Sequence, residues 1–278
     1  MRRTTGILFA CSLVTAGCGR TPATLDLIGG GPVDLAMPGA SSDLSGPARD
    51  LASVVVDLAA GSPDLAGVPR FSFFVTSLRA MQRKSGNSNG FGGDLRFGEV
   101  GAGAGLRGAD KLCASIAEDS LPGAGKKPWR AFLSATVDEN GAQVNAIDRI
   151  GNGPWYDRLG RLLANTRAEL MFDRPSGADP AIKNDFPNED GVPNHQPDPN
   201  QPQADNHDFL TGTNNQGRLY GATSTCKDWT ASTGNKNTEG RPRVGHSWPR
   251  GNTGSGANWM SSLDESVRAI VIDGARRH

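Results

Sequence analysis

Cysteine is scarce in this chain: there are four in 278 residues, and Cys11 and Cys18 both stand near the start. A small scaffold stapled by several disulfides is therefore excluded. A net charge is lacking as well, since 29 Lys and Arg balance 29 Asp and Glu, and no basic stripe with interleaved aromatics occurs. That argues against nucleic acid as a partner. No apolar run reaches the about 20 residues that a membrane-spanning helix needs. Gly86-Asn-Ser-Asn-Gly90 spells G-x-S-x-G, but it lies in a Gly/Asn/Ser-rich loop rather than at the strand-to-helix turn of a nucleophile elbow, and neither Cys113 nor Cys226 has a neighbouring His. The readily recognised serine and cysteine nucleophiles are therefore not indicated.

What is present begins at the N-terminus. Arg2 and Arg3 precede the uncharged, mostly apolar stretch 6–16, and small residues close it, which are the three parts of an export signal. Val14-Thr-Ala-Gly-Cys18 resembles the bacterial lipobox, in which small residues precede a cysteine that becomes the acylated N-terminus. Thr15 departs from it, standing where an aliphatic residue is usual. The resemblance implies that residues 1–17 are a lipoprotein signal peptide and that Cys18 is lipidated. Ordinary cleavage, with Cys18 unmodified, is the alternative. Several acyl chains, palmitate included, would give a lasting membrane anchor, because a single chain binds only marginally. Gly19 follows the cysteine in place of Asp, which by the same resemblance points to the outer membrane.

Residues 18–69 read as a tether. Six Asp-Leu pairs, from Asp26-Leu27 to Asp64-Leu65, are separated by Gly, Pro, Ser and Ala. The last four recur every seven residues, but Pro47 and Pro63 interrupt any coiled-coil helix. With six Asp against the single Arg49 over residues 21–69, the segment repels itself and buries little, so a disordered spacer is expected.

Residues 70–278 are long enough for one domain with a core. Three arginines precede the tether's surplus of five acids in a neutral chain, which leaves the domain two positive charges. Abundant Gly, Asn, Asp and Pro predict short elements and long loops, an α+β fold. Strands are predicted at Phe71–Thr76, Trp129–Ser134, within 154–164 around a turn at Leu159-Gly160, from Phe209, and at Val267–Ile272. Ala109, Leu112, Cys113, Ile116 and Ala117 share one helical face. A short helix is expected at 142–149, and loops at 79–105 and 176–206.

Five short motifs follow in order: Gly108-Ala-Asp-Lys-Leu-Cys113, Trp129-Arg-Ala-Phe-Leu-Ser134, Asp148-Arg149, Thr211-Gly-Thr213 and Thr225-Cys-Lys-Asp-Trp229. Together with a final strand they resemble the endostatin domain of collagens. More closely still, they resemble a bacterial lipoprotein family of unknown function with the same C-type-lectin-like fold. The resemblance covers about 71–273 and implies a twisted antiparallel sheet with one or two helices and long loops. In the family, the cysteines matching Cys113 and Cys226 belong to two separate bridges. Their partner positions here are apolar, at Val271 and Leu263. The resemblance therefore implies that both framework disulfides are lost and that Cys113 and Cys226 stay unbonded; the oxidising compartment of an exported protein argues for the alternative, a direct bond between them.

Several residues invite a chemical reading. Gly103-Ala-Gly-Leu-Arg-Gly108 matches G-x-G-x-x-G, but no strand precedes it directly and no acid follows about 20 residues on, as a dinucleotide site requires. No cofactor is expected. Gln196-Pro-Asp198 repeats a triplet by which some C-type lectins hold calcium and sugar, although no Trp-Asn-Asp completes it. The acids Asp185, Glu189, Asp190, Asp198 and Asp208 are possible calcium ligands or simply a solvated loop. His195 and His207, with Asp190, Asp205 or Asp208, offer donors for zinc, yet lack the short helical spacing of zinc motifs. Trp129 and Trp229 lie in the motifs and are expected in the core. Trp248 and Trp259 lie in Gly-rich loops and, with Asp198 and Asp208, are candidates for ligand contact. The expectation is a non-catalytic, membrane-anchored module that recognises a glycan or an envelope protein. The alternative is a cell-envelope hydrolase using metal or carboxylates in the 176–208 loop.

Overall fold

The computed structural model describes the strand at residues 8–13 and residues 70–195, 207–231, 241–249 and 258–264. By contacts the chain divides into Met1–Ala16 with Pro69–His278, and Gly17–Val68. Cys18, Asp198, Asp205, the tether and the expected strand at 267–272 lie outside the described residues.

In chain order the described elements are β1 (Leu8–Leu13), β2 (Phe73–Val75), α1 (Leu78–Ser85), α2 (Ala104–Ser120), β3 (Trp129–Ala131), α3 (Ala146–Arg149), β4 (Trp155–Tyr156), β5 (Leu162–Ala164), α4 (Arg167–Leu170), α5 (Pro180–Lys183), β6 (Asp208–Leu210), β7 (Arg243–His246) and β8 (Leu263–Asp264). The architecture is mixed α+β. The main sheet runs β2-β1-β6-β7-β8, with β3 also on β1, and β4 pairs with β5 in a separate hairpin. All pairings are antiparallel except β1 with β6. No helix among the described residues is long and apolar enough to cross a membrane.

The strands are short, and successive residues feed opposite faces. In β2, Phe74 joins an apolar cluster with Leu112, Ile116, Trp129 and Trp229, while Phe73 and Val75 join another with Phe186, Phe209 and Trp259. In β6, Leu210 and Phe209 divide in the same way. A strand covered on both faces reads as an unbroken apolar run, which is why Phe71–Thr76 was legible.

β1 comes from the apolar stretch read above as the signal core. It pairs with β2 through Cys11 opposite Phe74, and on its other side with β6 through Phe9 opposite Leu210 and with β3 through Cys11 opposite Ala131. The structure thus places Leu8–Leu13 inside the sheet.

α2 packs closely at its start because glycine permits it. A Cβ on Gly105 would meet Asp228 O at 2.1 Å, and one on Gly108 would meet Arg96 O at 2.1 Å and Leu95 O at 2.2 Å. Gly103, the residue before the helix, has φ of +68°. These contacts account for the G-x-G-x-x-G pattern without a nucleotide.

Three expectations about elements and cysteines are corrected, and one turn is new. The expected loop at 79–105 opens with α1, capped by Ser77, whose Oγ accepts from Ala80 N. Its charged outer positions hid it, since only Leu78, Ala80 and Met81 are buried. The 176–206 loop contains α5, which starts on Pro180 with Asp179 as cap. At Cys226–Trp229 the chain makes a left-handed turn, with φ of +48°, +55°, +51° and +64°. Such backbone is costly for non-glycine residues and has to be held by its surroundings. Here Asp228 Oδ1 accepts from Thr136 N at 2.7 Å, and Trp229 Nε1 donates to Ser134 O at 2.8 Å. Finally, Cys113 is disulfide-bonded, whereas Cys226 is free and buried. The two are not joined to each other, as expected, but Cys113 is not a free thiol, and its partner lies outside the residues whose side chains are described.

Candidate functional site

Side chains with the capacity for ligand chemistry gather where β6 meets β7. The antiparallel register sets Asp208 directly opposite His246. Residues opposite each other in such a pair project to the same face. His207 precedes β6, and its carbonyl accepts from Ser247 N at 2.7 Å, which ties the start of β6 to the end of β7. The donor atoms of His207, Asp208 and His246 all lie within 4.8 Å of one another. Asp208 Oδ1 is 2.8 Å from His246 Nε2 and 3.3 Å from His207 Nε2. His207 and His246 are buried, at 4% and 3% exposure.

An aromatic layer adjoins these three. The His207 ring lies 4.8 Å from that of His246 and 5.2 Å from that of Trp248. On Trp248, His195 stacks at 4.0 Å with an interplanar angle of 16°. Trp248 is half-buried and His195 exposed, so the pair forms a rim over the buried cluster. Among the described residues, Trp248 Nε1 is buried without a hydrogen-bond partner. Backbone ties hold the loop beneath: Asn194 N donates to Phe186 O, and His195 N donates to Asp185 Oδ1 at 2.8 Å. Burial raises the Asp185 carboxyl above the usual range, opposed by that bond. Arg174 donates through Nη1 to Ser247 O at 3.1 Å, and burial lowers its guanidinium to about 10 against the pull of Asp185 and Asp173.

Not every candidate residue belongs here. Trp259 offers no ligand surface: it is 1% exposed, packs on Phe132 at 4.7 Å and Phe186 at 5.7 Å, and donates from Nε1 to Leu170 O. Trp129 and Trp229 are core residues. Asp190 is exposed in the turn closed by Gly191 N on Asn188 O, outside the histidine cluster. The loop acids do not converge on a calcium position among the described residues. Glu189 is buried and takes Ser77 N at 2.9 Å and Ser77 Oγ at 2.5 Å, Asp185 holds His195, and Asp208 faces the histidines. His246 escaped the sequence reading altogether. It stands 38 residues beyond Asp208, and only strand register brings the two together.

Elsewhere a concavity of about 610 Å³ is lined by Lys84, Asp94, Arg96, Phe97, Glu99 and neighbours. Its charges are consumed internally: Asp94 pairs with Arg96 at 2.6 Å, Glu99 with Lys111 at 2.7 Å, and Lys84 with Asp119 at 2.9 Å. The β6–β7 cluster is the better site. In comparisons with known proteins, no family model, no curated protein and no solved structure matches this chain.

Proposed function

We propose that this chain is an exported, membrane-anchored recognition module. Cys18 carries the anchor, residues 18–69 space the domain from the membrane, and the domain is a C-type-lectin-like, endostatin-like fold. It binds a glycan or an envelope protein, without catalysis, at the Trp248–His195 face. The observation that carries this reading is the stacked, partly exposed pair of Trp248 and His195 beside an indole N–H that lacks an acceptor. A flat aromatic surface with a polar edge suits a sugar face or a peptide carbonyl, and Trp is prominent among residues that dominate binding energy. A ligand that supplies the missing acceptor would relieve a buried unsatisfied donor, which costs about 1–3 kcal/mol.

The test is an array of glycans and envelope proteins probed with the full chain and with Trp248→Ala. Binding that falls at least about tenfold in the variant, in line with a loss above 1.4 kcal/mol, supports the reading. Binding unchanged by Trp248→Ala, in a variant that melts with the wild type, sinks it.

A further inference from the structure

We propose that His207, Asp208 and His246 form a site for a zinc-class divalent ion. The inference rests on the cluster alone and not on the ligand proposed above, so either can fail without the other. Two imidazole nitrogens and one carboxylate oxygen are a donor set suited to zinc, whereas calcium takes six to eight oxygens. Four-coordinate zinc with bonds of about 2.0–2.2 Å sets neighbouring donors about 3.4 Å apart. Asp208 Oδ1 lies 3.3 Å from one histidine nitrogen and 2.8 Å from the other, and all three donor atoms lie within 4.8 Å of one another, so closing the set onto one ion takes a movement of the histidine rings.

Direction separates this reading from an ordinary Asp–His pair. Among the described residues Asp208 Oδ1 is buried without a hydrogen bond, although His246 Nε2 is only 2.8 Å away. A carboxylate oxygen close to a ring nitrogen, yet not aligned with it, is the arrangement expected of two donors facing a common centre. The far side of the ring is also engaged. His246 Nδ1 lies 3.2 Å from Ser262 Oγ, and a bond in which Nδ1–H donates to that hydroxyl would leave the Nε2 lone pair for the ion. Ser262, His246 and Asp208 thus also make a chain of the groups used in a hydrolytic triad. That chain lacks the aligned Asp–His bond that would orient the imidazole, and Ser262 is 7% exposed. Three protein donors leave a position for water or for a ligand group. Because His207 also touches Trp248, the ion would brace the aromatic rim from beneath.

The full chain, freed of metal by chelation and dialysed, is titrated calorimetrically with Zn²⁺, with Ca²⁺ and Mg²⁺ in parallel. The expected result is about one Zn²⁺ per chain and a melting temperature raised by about 5 °C or more at 100-fold excess over Kd, with neither effect from Ca²⁺ or Mg²⁺. Asp208→Asn and His246→Gln should each weaken Zn²⁺ binding by more than about 100-fold, and Ser262→Ala by about 10–100-fold, while His195→Ala keeps it. Circular dichroism of the metal-free variants checks their folding. The visible spectrum of the Co²⁺-loaded wild type, which needs no variant, reports whether a four-coordinate nitrogen–oxygen site exists. No stoichiometric Zn²⁺ uptake, uptake unchanged in folded Asp208→Asn, or a Co²⁺ spectrum of the free aqueous ion overturns the proposal.

Discussion

Asp110 and Arg149, 39 residues apart, are locked together: Arg149 Nη2 lies 2.9 Å from one carboxylate oxygen of Asp110 and 2.8 Å from the other. Asp110 Oδ1 also accepts from Ala131 N at 2.9 Å, and Arg149 reaches Ala131 O. One ion pair therefore joins α2, β3 and α3. Both side chains are mostly buried, so removing one partner strands the other's charge. Asp110→Asn should cost about 2–4 kcal/mol of stability. Denaturant unfolding of the single and double variants with Arg149→Met measures the coupling. Additive effects would show that the pair contributes nothing together.

Glu189 gives a pH dependence. Burial pushes its carboxyl above the ordinary range, with the bonds from Ser77 acting in the opposite sense. Between the unfolded and the raised folded value, the native state holds a proton that the unfolded chain has lost. Stability from this group is thus greatest at low pH and declines as pH rises through that window, by at most about 1.4 kcal/mol per pH unit. Glu189→Gln should flatten that decline. An unaltered stability–pH profile in the variant would contradict the assignment.

Trp259 and Trp248 should respond in opposite ways. Trp259→Ala removes a side chain packed among Phe132, Phe186 and Phe209 and should cost about 3–5 kcal/mol. Trp248→Ala, at the rim, should shift the melting temperature far less. Equal shifts in thermal melts would count against the placement of both.

The cysteines differ in state. Burial pushes the Cys226 thiol up to about 12, so alkylating reagents should leave it unmodified until the protein unfolds. In the uncleaved chain Cys113 should appear in a linked peptide on a non-reducing map, and reduction should cost about 2–4 kcal/mol; cleavage and acylation at Cys18 would abolish that linked peptide. Rapid labelling of native Cys226, or a Cys113–Cys226 peptide, would show the arrangement to be wrong.

Processing at Cys18 would remove β1 from between β2 and its partners on the other side. The expected outcome is an acylated Cys18 at the mature N-terminus. The backbone amides of Phe73–Val75 and Phe209–Leu210 should then exchange differently in mature protein and in the Cys18→Ala precursor. Mass spectrometry that finds Leu8–Leu13 in the membrane-bound protein would end the anchor proposal and make β1 a permanent strand.

Local pattern was enough for several elements. The apolar face from Ala109 to Ala117 marked α2, the run at Phe71–Thr76 contained β2, and Leu159-Gly160 lies between β4 and β5 as expected. In each case neighbouring residues carry the information, because periodicity and turn chemistry act over a few positions. Charged α1 left too little apolar signal, and no local rule anticipates four left-handed residues at Cys226–Trp229.

The amino-acid order by itself determined where helix α2 forms, which tryptophans in the motifs are buried, and which histidine and aspartate neighbour each other at 207 and 208. Only the tertiary structure decided that His246 completes that pair, that Trp259 is core while Trp248 is rim, and that β1 joins the sheet. The physical reason is the same for all three. Strand pairing and packing are set by contacts between residues far apart in the chain. A one-residue change of register would turn every side chain of β7 to the other face and take His246 from Asp208.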